Sequence, residues 1–213
     1  MGSSIFSSIE EASVLAVVSI PTVDAAAPLA EALLEGGVKG MELTLRTPAA
    51  LEGLARVCSE VPEMLVGAGT VLTPQQVEAV REAGASFAVA PGTNPRVIAA
   101  AREIDLPFAP GICTPTDIEM ALEEDCQVMK FFPSEPTGGL SYLRNIAAPF
   151  THLGVKFIPL GGVNPGNAEA YLSESMILAI GGSWLAPPQA IAEQDWTGIR
   201  RRAEEASAFS RAK

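Results

Sequence analysis

The chain has 213 residues, of which 48% are hydrophobic and 18% are charged, and its formal net charge at pH 7 is −11. This balance excludes proteins that hold nucleic acid or an anionic membrane surface through clustered lysine and arginine, so we expect no partner of either kind. At this length folding removes about 70% of the unfolded chain's surface from water, which predicts one core and a single domain over residues 1–213.

The cysteines and the start of the chain indicate the compartment. Cys58, Cys113 and Cys126 lack the spacing of a disulfide framework and are typical of free thiols in a reducing compartment. No basic residue precedes Lys39, so a secretory signal is not indicated. The apolar run at 12–20 is shorter than the ~20 residues of a membrane span. The sequence therefore predicts a cytoplasmic protein.

Eight short apolar or β-branched runs alternate along the chain with segments of helical periodicity. Residues 3–11, ahead of the first run, are predicted to form an additional short helix. The predicted strands are SVLAVVSI (13–20), GMELTL (40–45), LVGAGT (65–70), FAVAPG (87–92), PFAPGI (107–112), QVMKFFP (127–133), VKFIPLGG (155–162) and ILAIGGS (177–183).

The starts of the helices give a stronger signal than their periodicity. In five places a threonine or asparagine precedes a proline, which puts a capping side chain before the first helical position, where proline's missing N–H does no harm. The predicted caps are Thr47, Thr73, Asn94, Thr114 and Asn164. Thr73 with Gln76 also fits a capping box. The repeating unit is thus a strand, a short loop and a capped helix.

Eight such units predict an α/β fold with a parallel sheet, and they close naturally into a single-domain (β/α)8 TIM barrel. The alternative is an open doubly wound sheet. The loop after the first strand, IPTVDAA, lacks the glycine-rich dinucleotide fingerprint. Glycine pairs instead follow the last two strands, where barrels often hold phosphate, so the sequence favours the barrel.

One strand carries a polar face. Side chains alternate along a strand, so Glu42, Thr44 and Arg46 share one face while apolar residues occupy the other. The polar face is predicted to point into the barrel, with Arg46 nearest the C-terminal rim, where barrel active sites lie. The same alternation in 127–133 turns Lys130 inward.

The three ionisable groups indicate a site more than a structural ion network, which is the alternative interpretation. A lysine buried among apolar residues tends to lose its proton, and the neutral amine can form a Schiff base with a carbonyl. A carboxylate can move a proton at the adjacent carbon, and a guanidinium can hold a carboxylate in a bidentate fork. Lys130, Glu42 and Arg46 together therefore suit a 2-oxo acid.

Two glycine pairs predict a phosphate site. LGGVNP (160–165) and IGGSW (180–184) lie at strand ends before helices, where backbone N–H groups can approach an anion. One pair alone would fit a simple turn, but two pairs on neighbouring strands favour a cradle. No metal or other cofactor is predicted, because the only histidine, His152, is expected on the surface and no paired histidine or cysteine motif occurs.

These motifs, in this order, resemble the 2-keto-3-deoxy-6-phosphogluconate (KDPG) and 4-hydroxy-2-oxoglutarate (KHG) aldolases, the class I pyruvate aldolases of the Entner–Doudoroff pathway. The resemblance extends from Val14 to Ala206 and is carried by MELTLRT, GAGTVLTPQQ, PGICT, MKFFPSE, LGGVNP and IGGSW. It implies reversible cleavage of KDPG to pyruvate and glyceraldehyde 3-phosphate, with cleavage of KHG to pyruvate and glyoxylate as a second reaction.

The resemblance also implies a role for each site residue. Lys130 would form the Schiff base, Glu42 would be the general acid and base through a water, and Arg46 would bind the pyruvyl carboxylate. The other substrate-binding residues would be Thr70, Pro91 and Gly92 at the carboxylate end, Phe132 beside the imine, and Gly161, Gly162, Gly182 and Ser183 around the phosphate. The family is generally homotrimeric, so a homotrimer is implied.

Two positions depart from relatives. Leu160 stands where many relatives have threonine, and Ser19 stands where some have arginine. Both changes reduce the number of polar contacts expected with the distal part of the substrate. Three alternatives stay open: a 2-keto-3-deoxy-6-phosphogalactonate aldolase, a sugar-phosphate isomerase or epimerase on the same barrel, and a ligand-binding barrel without turnover. The buried lysine favours an aldolase over an isomerase, and a nucleophile is not required for binding alone.

Overall fold

Strands and helices alternate along residues 2–209, which the computed structural model describes, with side chains from Ile5 onward. The strands are β1 (Val14–Val18), β2 (Gly40–Thr44), β3 (Leu65–Gly69), β4 (Phe87–Val89), β5 (Phe108–Ala109), β6 (Gly111–Ile112), β7 (Val128–Phe131), β8 (Lys156–Pro159) and β9 (Ile180–Gly182). The helices are α1 (Gly2–Ala12), α2 (Ala26–Glu35), α3 (Ala50–Glu60), α4 (Pro74–Glu82), α5 (Pro95–Glu103), α6 (Pro115–Glu123), α7 (Gly139–Ala147), α8 (Ala168–Leu172), α9 (Pro188–Ala192) and α10 (Trp196–Ser207).

The strands form two parallel sheets. The larger is a curled sheet of six strands in the order β5-β4-β3-β2-β1-β9, and the smaller has the order β6-β7-β8. The predicted α/β class and parallel pairing are therefore confirmed. The predicted single domain over residues 1–213 extends past the described residues at both ends and stays a prediction.

The edges of the two sheets are joined by hydrogen bonds. The fifth predicted strand is divided at Pro110, which has no N–H to donate, and its two parts are β5 and β6. The backbone N–H of Lys130 donates to the Pro110 carbonyl at 2.8 Å. At the other edge, the N–H of Leu178 donates to the Phe157 carbonyl at 2.9 Å, beside a parallel bridge from Phe157 to Ile177.

Three of the five predicted helix caps are confirmed. Thr73, Asn94 and Thr114 each accept a hydrogen bond from a backbone N–H in the first turn of α4, α5 and α6. The predicted capping box of Thr73 with Gln76 is present, and Thr114 forms a second one with Asp117. These caps fix the points at which the chain leaves the loops above the strands and turns down into a helix.

The other two predicted caps are wrong. The Thr47 hydroxyl donates to the Ile20 carbonyl at 2.7 Å, and α3 begins only at Ala50. The Asn164 side chain is used within its own loop: its amide nitrogen donates to the Gly162 carbonyl at 2.8 Å, and α8 begins four residues later. In both places the side chain stabilises the loop beside the cavity described below.

The buried apolar residues fall into two clusters. The larger lies between the sheets and the helices and includes Met41 and Leu43, which confirms the predicted orientation of the apolar face of β2. The smaller, which we call the inner cluster, lies inside the curled sheets and has these buried members: Ile9, Leu15, Phe87, Val89, Ala109, Ile158, Leu160, Leu178 and Ala179. Ile9 belongs to α1, so this helix covers the N-terminal ends of the strands.

Two further predictions concern the surface and the thiols. Cys58, Cys113 and Cys126 are free, as predicted, and burial together with nearby acidic residues raises the pKa of Cys126 to about 11. His152 is exposed, as predicted. Within residues 2–209, no helix has the length and apolar character needed to cross a membrane.

Candidate active site

A cavity of about 530 Å³ lies at the carboxyl ends of the strands. The polar residues that line it are Ser19, Thr44, Arg46, Lys130, Asn164 and Ser183. They come from the ends of β1, β2, β7, β8 and β9 or the loops that follow, so residues far apart in sequence meet here because parallel strands share one C-terminal edge. Apolar walls formed by Val17, Phe132 and Leu160 complete the lower part of the cavity.

The structure brings most of the predicted site residues together. Those that line the cavity are Arg46, Lys130, Phe132, Gly161, Gly162, Gly182 and Ser183. Glu42 and Thr70 do not line the cavity themselves, but Glu42 contacts Lys130 and Thr70 contacts Arg46. Pro91 and Gly92 do not line the cavity: they form the turn against which Gly111 packs, and the Gly92 carbonyl accepts the Gly111 N–H at 3.3 Å.

Lys130 and Glu42 form a buried ion pair at the base of the cavity. Their side chains are 3% and 1% exposed, and Lys130 Nζ lies 2.9 Å from Glu42 Oε1. The same nitrogen lies 5.3 Å from the centre of the Phe132 ring. A buried ammonium needs such a partner, because removing an unpaired charge from water costs roughly several kcal/mol. A proton can pass directly from Nζ to the carboxylate over this distance.

A glycine makes room for the Glu42 carboxylate. A Cβ atom at Gly69 on the neighbouring strand β3 would lie 2.1 Å from Glu42 Oε1, far inside contact distance. Gly69 was not among the predicted site residues, although glycine inside a strand often marks a close approach of another group. Gly69 is therefore part of what positions the acid.

Arg46 is held at the mouth of the cavity by Thr70. Arg46 Nε donates to the Thr70 hydroxyl at 3.2 Å. Thr70 has a φ of 60°, a left-handed conformation that a β-branched residue rarely adopts and that costs about 1–3 kcal/mol. With Nε anchored, the two terminal amino groups of Arg46 present a planar edge that matches a carboxylate.

Both glycine pairs need glycine for reasons of space, and the first pair needs it also for its conformation. Gly161 and Gly162 have φ values of 93° and 90°. A Cβ at Gly162 would lie 2.6 Å from the Cβ of Glu135, and one at Gly182 would lie 1.6 Å from the Trp184 ring. Both loops line the cavity and lie beside each other, because β8 and β9 are joined through the bridge at Ile177.

Sequence reasoning assigned no site role to Thr44, Trp184 or Asn164, which also line the cavity. Thr44 shares the polar face of Glu42 and Arg46, so strand alternation alone could have found it. Trp184 is the aromatic residue of the IGGSW motif. Asn164 was taken for a helix cap, because an asparagine before proline gives the same signal in a loop.

In parallel α/β enzymes the active site lies at the carboxyl ends of the strands. The lysine, carboxylate and arginine lie at this end of the fold, so the arrangement is that of an enzyme. Comparison with known proteins identifies the family. The sequence profile described as "Aldolase: KDPG and KHG aldolase" matches residues 5–202. The chain belongs to this family and is an aldolase.

Relatives are similar over nearly the whole chain. The 2-dehydro-3-deoxy-phosphogluconate aldolase of Treponema pallidum is 43% identical over 195 residues, which cover 92% of each chain. The KHG/KDPG aldolase of Escherichia coli K12 is 42% identical over 193 residues, covering 91% of this chain and 90% of the relative.

Solved structures have the same fold. The KDPG aldolase of Zymomonas mobilis ZM4 with 3-phosphoglycerate superimposes with a TM-score of 0.89 and 38% identity, covering 99% of this chain and 97% of that one. The KDPG aldolase of Legionella pneumophila, with pyruvate captured as a covalent carbinolamine, gives a TM-score of 0.89 and 37% identity, covering 93% and 96%.

Proposed function

We propose that this chain is a class I aldolase that reversibly cleaves KDPG to pyruvate and glyceraldehyde 3-phosphate, and that it also cleaves KHG to pyruvate and glyoxylate. One observation carries the proposal: Lys130 Nζ is buried at the base of the cavity, 2.9 Å from the Glu42 carboxylate. This pair supplies both a nucleophile and a proton acceptor for it. The names of the relatives, which include both KDPG and KHG/KDPG aldolases, agree with the two substrates.

Imine formation begins with the transfer of a proton from Lys130 to Glu42. The neutral amine then adds to the C2 ketone and forms a carbinolamine, and protonation of its hydroxyl releases water and leaves an iminium. Glu42 can return the proton that this step needs. The carbinolamine captured with pyruvate in the Legionella relative supports this sequence.

Cleavage of the C3–C4 bond follows from the iminium. A base, Glu42 acting through a water, removes the proton of the C4 hydroxyl, the aldehyde leaves, and the electron pair of the broken bond forms an enamine that the iminium nitrogen stabilises. Protonation of C3 gives the pyruvate iminium. Addition of water then releases pyruvate and restores the Lys130 amine.

The two ends of the substrate are held by different chemistry. Arg46, anchored on Thr70, binds the C1 carboxylate through its planar edge. The backbone around Gly161, Gly162, Gly182 and Ser183 binds the C6 phosphate, since these loops line the cavity away from Arg46. The 3-phosphoglycerate held by the Zymomonas relative is similar in size to the expected aldehyde, which supports a phosphate subsite.

We also propose the larger organisation that the resemblance implies. The hydrogen bonds from Lys130 to Pro110 and from Leu178 to Phe157 support closure of the two sheets into one (β/α)8 barrel. The proposed assembly is a cytoplasmic homotrimer. Sedimentation of the purified protein tests the assembly, and a monomer at micromolar concentration would contradict it.

Borohydride reduction in the presence of pyruvate tests the proposed function. We expect a three-carbon acid to become attached at Lys130, with loss of activity, and peptide mapping locates it. Attachment at Lys39, Lys156 or Lys213 would contradict the assignment. Lys130→Arg should keep the positive charge but lose both adduct and activity, because a guanidinium stays protonated and is a poor nucleophile.

A further inference from the structure

Two hydroxyl groups form a short chain on the wall of the cavity. Ser19, just after β1, and Thr44, the last residue of β2, have their side-chain oxygens 2.5 Å apart. Thr44 Oγ1 also donates to the backbone carbonyl of Val18 at 3.0 Å. Both side chains line the cavity, and Thr44 is only 1% exposed.

The chemistry of the two hydroxyls fixes the direction of this chain. Each hydroxyl has one proton and two acceptor lone pairs. The proton of Thr44 is used on the Val18 carbonyl, which can only accept. The contact between the two oxygens therefore uses the proton of Ser19. Both protons are thus used within the protein, so the pair offers the cavity lone pairs and can accept a hydrogen bond but has no free proton to donate.

The position of the pair selects the part of the substrate that it meets. In the order β3-β2-β1-β9, it lies at the ends of β1 and β2, with Thr70, the partner of Arg46, after β3 on one side and Gly182 with Ser183 at the end of β9 on the other. It therefore lies between the proposed carboxylate and phosphate subsites. Thr44 is two residues beyond Glu42 on the same face, which places it about 7 Å nearer the mouth.

The surroundings of the pair offer little else to a polar group. Val17 and Leu160 form the adjoining wall, and both lie within 3.2 Å of a Cβ placed at Gly181. A substrate hydroxyl bound against this wall would lose its hydrogen bonds to water unless the pair accepted its proton, and an unpaired buried donor is unfavourable. The pair thus provides a selective contact for a donor in an otherwise apolar region.

We propose that Ser19 and Thr44 select aldehydes that carry a hydroxyl on the carbon next to the aldehyde carbon, by accepting a hydrogen bond from that hydroxyl. This inference rests on the proposed function. The aldehyde oxygen itself is not the group recognised. It has no proton in the free aldehyde, and as the C4 hydroxyl it must give its proton to a base, whereas Thr44 leads only to a peptide carbonyl.

The test compares two acceptors in condensation with pyruvate. D-Glyceraldehyde 3-phosphate has the hydroxyl, and 3-phosphonooxypropanal has the same chain length and phosphate without it. We expect Thr44→Val to reduce the wild-type ratio of kcat/KM between them by about two- to tenfold, the range for one neutral hydrogen bond. Thr44→Ser, which keeps an acceptor oxygen, should retain the ratio, and Ser19→Ala should reduce it by part of that amount.

Thr47→Val is the matched control. Thr47 also donates to a backbone carbonyl after β1, that of Ile20, but it does not line the cavity. We expect this variant to keep the wild-type ratio. An equal ratio in wild type and Thr44→Val would overturn the proposal, as would an equal loss in Thr47→Val. If Thr44→Val fails to fold, an unchanged ratio in Ser19→Ala overturns it.

Exchange of the pyruvate methyl protons separates this inference from the function on which it rests, because it needs no aldehyde. Normal exchange in Thr44→Val and Ser19→Ala with a reduced acceptor ratio supports both. Normal exchange with an unchanged ratio overturns the role of the hydroxyl pair alone. If the wild type shows neither exchange nor a reducible imine, the proposed aldolase function fails and the inference fails with it.

Discussion

Glu42 has one neighbour that gives it a function and another that gives it space. Lys130 lies 2.9 Å from its carboxylate, and Gly69 leaves the volume that the carboxylate occupies. The sequence predicted the pairing of Glu42 with Lys130 on an inward face because alternation along a strand is regular. It did not predict the role of Gly69, because the residues of β3 that lie beside Glu42 depend on the register between β2 and β3. In that register Glu42 is paired with Gly67, and Thr44 is paired with Gly69.

Replacement of Glu42 by glutamine separates its proton transfer from its packing. The amide keeps the size of the side chain but is a poor base. We expect Glu42→Gln still to form the imine with pyruvate, although more slowly, because water must then take up the Lys130 proton. The variant should exchange the methyl protons about 10²–10⁴-fold more slowly than wild type. Borohydride trapping and NMR of the methyl group in deuterated water measure the two steps. Exchange at the wild-type rate would assign the base to another group.

Gly69→Ala tests whether the position of the carboxylate matters as well as its presence. A methyl group 2.1 Å from Oε1 forces the carboxylate away from Lys130. A displacement of about 1 Å at a catalytic group can lower the rate ~10²-fold. We therefore expect slower methyl proton exchange in a protein that still folds, as followed by circular dichroism. Unchanged exchange would show that the carboxylate acts from more than one position.

At the scale of elements, one tyrosine joins α8 to the loop after β7. The Tyr171 hydroxyl lies 2.5 Å from the Ser134 hydroxyl and donates to Glu135 Oε1, also at 2.5 Å. The N–H groups of Ser134 and Glu135 donate to the carbonyls of Leu160 and Gly161, at 2.7 and 2.9 Å. The network thus holds the glycine pair after β8 against the end of the strand that carries the lysine.

Tyr171→Phe should loosen this junction. Ser134 is fully buried, so loss of its partner should lower the free energy of unfolding by about 1–3 kcal/mol. We expect a higher KM for KDPG with little change in pyruvate proton exchange, because the glycine loop is disturbed and the lysine is not. Tyr142→Phe is the matched control, since its hydroxyl donates to the Cys113 carbonyl at 2.9 Å and not to this loop.

The same tyrosine predicts a pH dependence. Burial, together with the hydrogen bond to Glu135, raises the pKa of Tyr171 above its ordinary value. A raised pKa in the folded state means that the contribution to stability is complete below the unfolded value of about 10 and is lost as the pH rises above it. Wild type should therefore lose stability more steeply than Tyr171→Phe above that pH in urea unfolding. If the free energy of unfolding fell equally steeply with pH in both proteins, this role of Tyr171 would be contradicted.

The elements also show where sequence reasoning succeeds and fails. Apolar runs located the strands, and capping residues followed by proline located three helix starts, because these signals are local. The cap signal failed at Thr47, where the hydroxyl donates to Ile20, far away in sequence, and at Asn164, where the side chain donates to Gly162 within its own loop. The Ser19–Thr44 contact escaped prediction for the same reason as the contact of Thr47: it depends on two strands lying side by side.

For the whole molecule, the inner cluster supports the site from below. Val128 and Phe132, two residues on either side of Lys130, both pack against this cluster. Phe87 is its largest fully buried side chain and lies against the backbone of Gly67, where a Cβ would approach the ring to 2.2 Å. The position of Lys130 in the cavity thus depends on the packing of the inner cluster.

A double-mutant cycle tests this packing. Phe87→Ala should lower the free energy of unfolding by about 3–5 kcal/mol, the usual range for loss of a buried phenylalanine. Gly67→Ala alone should cost about 1–3 kcal/mol, because its methyl group overlaps the ring. In the Phe87→Ala background the methyl group has room, so the second substitution should cost little or restore some stability. Urea unfolding at one fixed protein concentration measures all four proteins. A coupling energy of about 1–3 kcal/mol is expected for residues in contact; strictly additive effects would show that the ring and the glycine do not compete for the same space inside the sheets.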